Sequence, residues 1–329
     1  MPTAPMLVSS ALLAGALAIA LPGRAQAPAP LALTWPVACQ VGTSCQIQHY
    51  VDRDPSPATR DYACGNRSYD GHDGVDIRLP DMAAQRRGVA VLAAADGRVL
   101  RVRDGVADVS VRQTGVAAVE DHECGNGAVI AHARGFESQY CHLARGSVRV
   151  KPGEPVKAGQ PIGRVGLSGE TEFAHLHFTL RRDGQVVDPF AYGAPAGACR
   201  GGRSLWRRTP AYAARVVLNT GFADAPVTMA AVEAGGVAPP GAASAAMVAY
   251  VRAIGLKAGD VQALTIRGPD GAVAFQHKAD PLPRDQAQRL MFGGRRKPAQ
   301  GWAKGRYTAL YTVAAGGKVV LSRRFEVIF

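Results

Sequence analysis

Seven of the eight histidines in this 329-residue chain precede residue 180, and three segments set them beside other reactive groups. Gly71-His72-Asp73-Gly74-Val75-Asp76-Ile77 carries a carboxylate four residues after a histidine. Ala174-His175-Leu176-His177-Phe178 sets two histidines at i and i+2, which in a strand share a face about 6.6 Å apart. With Leu176 and Phe178 turned to a core, one histidine can bind a metal while the other stands beside the metal-bound water. Tyr140-Cys141-His142-Leu143 puts Tyr140 and His142 on one strand face. His72, Asp76 and His177 make a two-nitrogen, one-oxygen set suited to one Zn²⁺ per chain. Three protein ligands leave the fourth position for water, as a catalytic zinc site requires. His142 and His175 remain as groups near that water. Fully extended chain would hold His72 and Asp76 about 13 Å apart, so the segment must bend, and Gly74 supplies the permissive backbone.

The elements that position these groups read as β-structure. Apolar residues make up 47% and charged residues 19%, enough for a packed core and against wholesale disorder. The 38 glycines and 22 prolines favour short strands joined by turns. Between about 45 and 192, short apolar runs are punctuated by turn pairs at Asp96-Gly97, Arg134-Gly135 and Asp183-Gly184; residues 81–87 alone suggest a turn or two of helix. A glycine- and arginine-rich stretch at 197–208 marks a domain boundary. Beyond it, strands are expected at 214–218, 227–232, 247–254, 263–266, 272–276, 307–313 and 319–329, with Arg295-Arg296-Lys297 decorating a loop. The class is all-β: an antiparallel catalytic domain followed by an Ig-like β-sandwich. The expected organisation is a signal peptide at 1–27, an extended lead at 28–60, a catalytic domain at 61–200 and the sandwich at 209–329.

The signal-peptide reading rests on an apolar run from Leu7 to Leu21 and the small-residue site Ala25-Gln26-Ala27. A membrane anchor would need about 20 unbroken apolar residues and a basic flank. The expectation is an exported chain, periplasmic or extracellular, with no stable membrane span after cleavage. Six cysteines, Cys39, Cys45, Cys64, Cys124, Cys141 and Cys199, then argue for up to three disulfides. Cys39 with Cys45 closes a short loop. A regular hairpin turning near Arg134-Gly135 would put residues near 128 opposite Cys141, so Cys124 would be out of reach unless the strand is distorted; the pairing stays open. The formal charge of +12 suits an anionic polymer, but no helix–turn–helix or RNA-binding signature accompanies it, which argues against nucleic acid.

The three histidine segments, taken with what lies between them, resemble the lysostaphin/LytM-type zinc metalloendopeptidases, which cut peptide bonds in bacterial peptidoglycan. Val91 to Val99, Gly125-Asn126-Gly127-Ala128-Val129-Ile130-Ala131-His132, Val156 to Gly163, Gly166-Leu167-Ser168-Gly169 and Asp188-Pro189-Phe190 follow that family's order, over roughly residues 68–192. The resemblance implies His72, Asp76 and His177 as metal ligands and His142 and His175 as catalytic histidines, with His132 structural or site-adjacent. His49 and His122 match nothing and are read as solvated, as is His277. Phe173-Ala174 departs from the small pair common in the family before the paired histidines. The implied activity is hydrolysis of peptidoglycan stem or cross-bridge peptides by a metal-activated water. The rival readings are an inactive peptidoglycan-binding or hydrolase-regulating module, and a zinc protease of glycine-rich proteins. Oligomeric state is not legible.

Overall fold

Strand His175–Arg182 shows how the sequence builds the fold: Leu176, Phe178 and Leu180 are buried in the main apolar cluster, while the alternate residues turn to the opposite face. The computed structural model describes Met1 and residues 31–329, so the signal-peptide reading of 1–27 lies outside the described residues. No helix among the described residues is long and apolar enough to cross a membrane.

The first half runs β1 (Gln46–His49), β2 (Val75–Arg78), α1 (Met82–Arg86), β3 (Ala90–Leu92), β4 (Gly97–Arg103) and α2 (Val111–Thr114). It continues with β5 (Asn126–Ala131), β6 (Phe136–Leu143), β7 (Pro155–Val156), β8 (Pro161–Arg164), β9 (His175–Arg182) and β10 (Gln185–Val186). The second half holds β11 (Val216–Ala223), α3 (Met229–Ala234), β12 (Ala246–Leu256) and β13 (Val261–Arg267). It ends with β14 (Val273–Lys278), β15 (Gln286–Arg296), β16 (Arg306–Ala315) and β17 (Lys318–Ile328). One large antiparallel sheet has the order β1-β2-β9-β6-β5-β4-β7, with β10 on β9 and a separate β3–β8 pair. The second half forms two sheets, β11-β12-β15 and β14-β13-β16-β17, around their own apolar cluster. The molecule is nearly all-β and antiparallel, as the sequence led one to expect. Leu33 and Val37 are buried in the first cluster, and so is Trp206.

Two local expectations fail. Residues 227–232 were expected as a strand but yield α3: Thr228 Oγ1 accepts from the Ala231 amide, and Gly235, at φ +67°, ends the helix. A hydroxyl N-cap and a left-handed C-terminal glycine outweigh the β-branched valines. The Arg295-Arg296 pair belongs not to a loop but to β15, whose only fully buried residue is Met291, so its pattern carried little apolar signal.

The disulfides are Cys39–Cys45, Cys64–Cys199 and Cys124–Cys141. The third is the one a regular hairpin puts out of reach. A register shift between Asn126 and Ala128 distorts the β5–β6 pair, and Gly125, at φ +60°, turns the chain before it. These bring the Cys124 and Cys141 Cα atoms to 4.8 Å.

Candidate metal centre

Strands β2, β9 and β6 lie side by side, with Asp76 opposite His177 and His177 opposite Cys141. His72 enters from the turn before β2. Its Nε2 is 3.2 Å from Asp76 Oδ1 and 3.2 Å from His177 Nδ1, and His177 Nδ1 is 2.9 Å from Asp76 Oδ1. The required bend between His72 and Asp76 is therefore present. Gly74 serves it differently from the expectation: its φ is not positive, but an added Cβ would meet the His177 ring at 2.6 Å. The need is for space.

The hydrogen bonds fix which nitrogens face inward. His72 Nδ1 donates to the Tyr50 carbonyl at 2.7 Å, His142 Nδ1 to the Ser168 carbonyl at 2.8 Å and His175 Nδ1 to the Phe173 carbonyl at 2.9 Å. His177 Nε2 donates to Asp73 Oδ1 at 3.0 Å. A carbonyl can only accept, so in each neutral ring the other nitrogen is a bare acceptor. His72 Nε2, His177 Nδ1 and an Asp76 oxygen thus converge on one point, an arrangement that suits a cation. A tetrahedral zinc with bonds of about 2.0–2.1 Å needs its ligand atoms roughly 3.3 Å apart, close to the separations observed. The outward bonds to carbonyl and carboxylate are those that orient and strengthen histidine ligands. The residues fit the metal.

Burial and the adjacent imidazoles of His175 and His177 hold His142 well below the ordinary histidine value, favouring its neutral form. Burial opposes the Asp76 charge, but the imidazoles of His72, His175 and His177 outweigh it and keep the carboxyl well below its usual range. For His177 burial is likewise outweighed, by Asp73 and Asp76, and its value is pushed up to about 9.

The two remaining histidines of the expected site also gather here. The His142 and His175 rings are 4.6 Å apart, and His175 Nε2 is 3.5 Å from Asp76 Oδ1. Tyr140 and His142 do not share a face as strand alternation suggested. Tyr140 packs on Phe178 in the core, whereas His142, at φ +63°, has its side chain thrown across to His175. This left-handed backbone is costly for a non-glycine residue. It is held by the His142 amide donating to the Cys124 carbonyl at 2.8 Å, beside the Cys124–Cys141 bridge.

His49 corrects the reading of a solvated side chain: it pairs with Asp76 across β1–β2, and its Nδ1 donates to Asp76 Oδ2 at 2.9 Å. No motif marks it; only the β1–β2 register does. Asp73, also missed, lies inside the first motif and binds both His177 and Arg181. His132 instead bonds the Asp96 carbonyl and the Ser138 hydroxyl. His122 and His277 are exposed. A groove of about 360 Å³ opens over the site, lined by Tyr69, Glu123, His142, Glu170, His177 and Arg181 among others.

Residues 70–189 match Peptidase family M23. The chain carries an M23 peptidase domain. It is 33% identical over 129 residues to DD-carboxypeptidase/endopeptidase Mpg of Neisseria meningitidis serogroup B, covering 38% of this chain and 23% of that protein. It is 36% identical over 118 residues to outer membrane antigenic lipoprotein B of Histophilus somni, covering 36% of this chain and 28% of the relative. The catalytic domain of the prophage-encoded M23 protein EnpA from Enterococcus faecalis aligns at 25% identity and a TM-score of 0.32, over 47% of this chain and 96% of that one. The chain spans about a quarter of the length of the curated relatives it matches. The M23 domain contains all five expected site residues.

Proposed function

We propose that the protein is an exported zinc metalloendopeptidase that hydrolyses peptide bonds in peptidoglycan stem peptides or cross-bridges. The observation that carries this reading is the convergence of the His72 and His177 imidazole nitrogens and the Asp76 carboxylate beside an open groove. His72, Asp76 and His177 are the proposed ligands of one Zn²⁺. A divalent ion held there lowers the pKa of bound water from 15.7 toward about 7 and polarises the scissile carbonyl. His142 and His175, each oriented by a carbonyl at Nδ1, use Nε2 to exchange protons with the attacking water and the leaving amine, and to stabilise the developing oxyanion. The suppressed basicity of His142 keeps that nitrogen unprotonated near neutrality. Residues 61–200 are the proposed catalytic unit and 209–329 an accessory β-sandwich. The charge of +12 favours a wall polymer bearing carboxylates, and the apolar run ending at Ala25-Gln26-Ala27 supports export.

Purified murein sacculi digested by the wild-type protein, with and without chelator, test the proposal beside His177→Ala. Soluble cross-link products are expected only with metal and His177 present. Release that survives both treatments overturns the reading. Sedimentation with sacculi without any release assigns the protein to the inactive, wall-binding class.

A further inference from the structure

Strand β4 reads Gly97-Arg98-Val99-Leu100-Arg101-Val102-Arg103, and strict alternation would put Val99, Arg101 and Arg103 on one face. Val99 is buried in the main apolar cluster, so the two arginines would be driven into the core. A bulge prevents this. The β4–β5 register shifts between Val99 and Arg101, after which Val102 faces Ala128, Arg101 faces Val129 and Arg103 faces Gly127. Val102 packs against the apolar cluster, while Arg101 and Arg103 are exposed on the other face. Bulges re-aim side chains in this way and are common beside functional sites.

That other face is the one that carries the metal centre. Val129 lies opposite Gln139 across β5–β6; Gln139 and Cys141 lie opposite Thr179 and His177 across β6–β9. Residues directly opposite share a face. Arg101, Arg103, Cys124 and Gln139 line a pocket of about 150 Å³, and Cys124 and Gln139 also line the groove over the metal centre. The two adjoin as one trough across β9, β6, β5 and β4, floored by Gly127, Val129 and the Cys124–Cys141 bridge.

The ends of the trough differ in charge. Glu123 and Glu170 stand over the metal centre, and Arg181 there is already bonded to Asp73 and Gln139. At the β4 end Arg101 and Arg103 are the only charged residues among those lining the pocket. Neither forms an ion pair among the described residues, and Asp104 beside them accepts instead from the Gly146 and Val148 amides. A carboxylate is therefore turned away from one end and drawn to the other. Three strand spacings of about 4.8 Å put β4 roughly 14 Å from β9, the length of about four extended residues.

We infer that Arg101 and Arg103 form a subsite for a carboxylate of the substrate peptide, about four residues from the scissile bond. The inference rests on the peptidase reading for its choice of peptide. Calorimetry of the zinc-loaded full-length protein tests it with uncross-linked peptidoglycan tetrapeptide, its carboxylates either free or amidated. Arg101→Gln combined with Arg103→Gln removes the subsite. Arg323→Gln combined with Arg324→Gln removes the same charge from exposed positions on β17.

The Arg101/Arg103 variant should bind the free peptide roughly fivefold more weakly, as two exposed charge pairs allow, and raise KM with kcat unchanged. Zinc content should stay at wild type, and the Arg323/Arg324 variant should bind normally. The amidated peptide should bind the wild-type protein as weakly as the free peptide binds the Arg101/Arg103 variant, which tests the point without a substitution. Wild-type binding by that variant, an equal loss in the Arg323/Arg324 variant, or equal affinity for both peptides overturns the subsite. Calorimetry needs no turnover, which separates the two proposals. Binding lost in the Arg101/Arg103 variant of a protein that leaves sacculi intact would refute the endopeptidase and keep the subsite. Sacculi cleaved with unchanged KM by that variant would do the reverse.

Discussion

Asp76 and Arg78 stand two residues apart on β2, on one face and both buried, at 3% and 1% exposure, yet their charges are met in opposite ways. Asp76 gathers His49, His72, His175 and His177, all from the first half of the chain. Arg78 is met by Glu233 of α3, which also takes the buried Arg252 of β12. The carboxylate sits among imidazoles whose ring nitrogens turn toward it, His72 Nε2 and His177 Nδ1 closest on one oxygen, leaving a place for a cation once His177 gives up its proton. The guanidinium sits in a closed Arg–Glu–Arg triad that joins the two halves. Burial pushes Arg78 down to about 10 despite Glu233, so it stays charged near neutrality. One strand thus supplies a binding centre and a structural joint, and the difference lies in whether the buried charge is met by an opposite charge from a fixed side chain or by imidazoles that can also hold a cation.

The largest effect should come from breaking the open centre. Asp76→Asn keeps the shape and removes the charge, and zinc affinity by competition with a chelator should fall by more than the roughly 10–100-fold that loss of an outer-shell partner costs. Arg78→Met, on the same face, should cost far less zinc; equal losses would erase the distinction between the two groups. Breaking the closed joint comes next. Glu233→Ala leaves two buried guanidinium groups short of a partner and should cost about 3 kcal/mol of stability in urea, the low end of the usual range because Gln48 and Asn219 still accept from them. Replacing Arg78, Glu233 and Arg252 together by Met, Leu and Met should restore most of that loss. A single variant as stable as wild type would mean that the triad joins nothing.

The same contrast explains what was legible. The first-half site is encoded by short local patterns, His-x-x-x-Asp and His-x-His, whose geometry follows from strand alternation once the β2–β9 pairing exists. Alternation failed at His142 because a single left-handed residue reverses a side chain, and nothing in Tyr140-Cys141-His142 announces it. His49 was missed because only cross-strand register joins it to Asp76. The joint was invisible for a further reason. Arg78 and Glu233 are 155 residues apart, and Glu233 lies on a helix whose capping residues Thr228 and Gly235 were outweighed by a strand-like Val227–Val232 run. Likewise β15 hid because its outward-facing polar residues dominate its pattern. Sequence discloses chemistry held by neighbours along the chain more readily than chemistry held by docking.

A smaller effect is expected at the edge of the open centre. Asp73→Asn replaces the charged acceptor that orients His177 by a weaker neutral one and should weaken zinc binding roughly 10-fold, the low end for loss of such a partner, without altering unfolding of the Arg–Glu–Arg joint. Binding that stays at wild type would leave Asp73 as a surface partner of Arg181 alone.

The smallest effect per step, and the one that best separates the two charge clusters, is pH dependence. His177 is pushed up to about 9 from an ordinary 6.5, so the metal-free protein holds a proton there at neutrality. That proton's contribution to stability is complete below pH 6.5 and is lost as pH rises through 9. Zinc must displace it, so zinc affinity should climb about tenfold per pH unit between 7 and 9 and level off above. In Asp73→Asn the levelling should begin at lower pH, because one of the carboxylates holding the proton is gone. Arg78 contributes little slope between pH 7 and 9, since its guanidinium, pushed down to about 10, stays largely charged there. Chelator-buffered titrations between pH 6.5 and 9.5, beside urea unfolding of the metal-free protein, give both curves. A zinc affinity flat across that range would mean His177 already faces the centre unprotonated, and Asp73 would then act on its orientation alone.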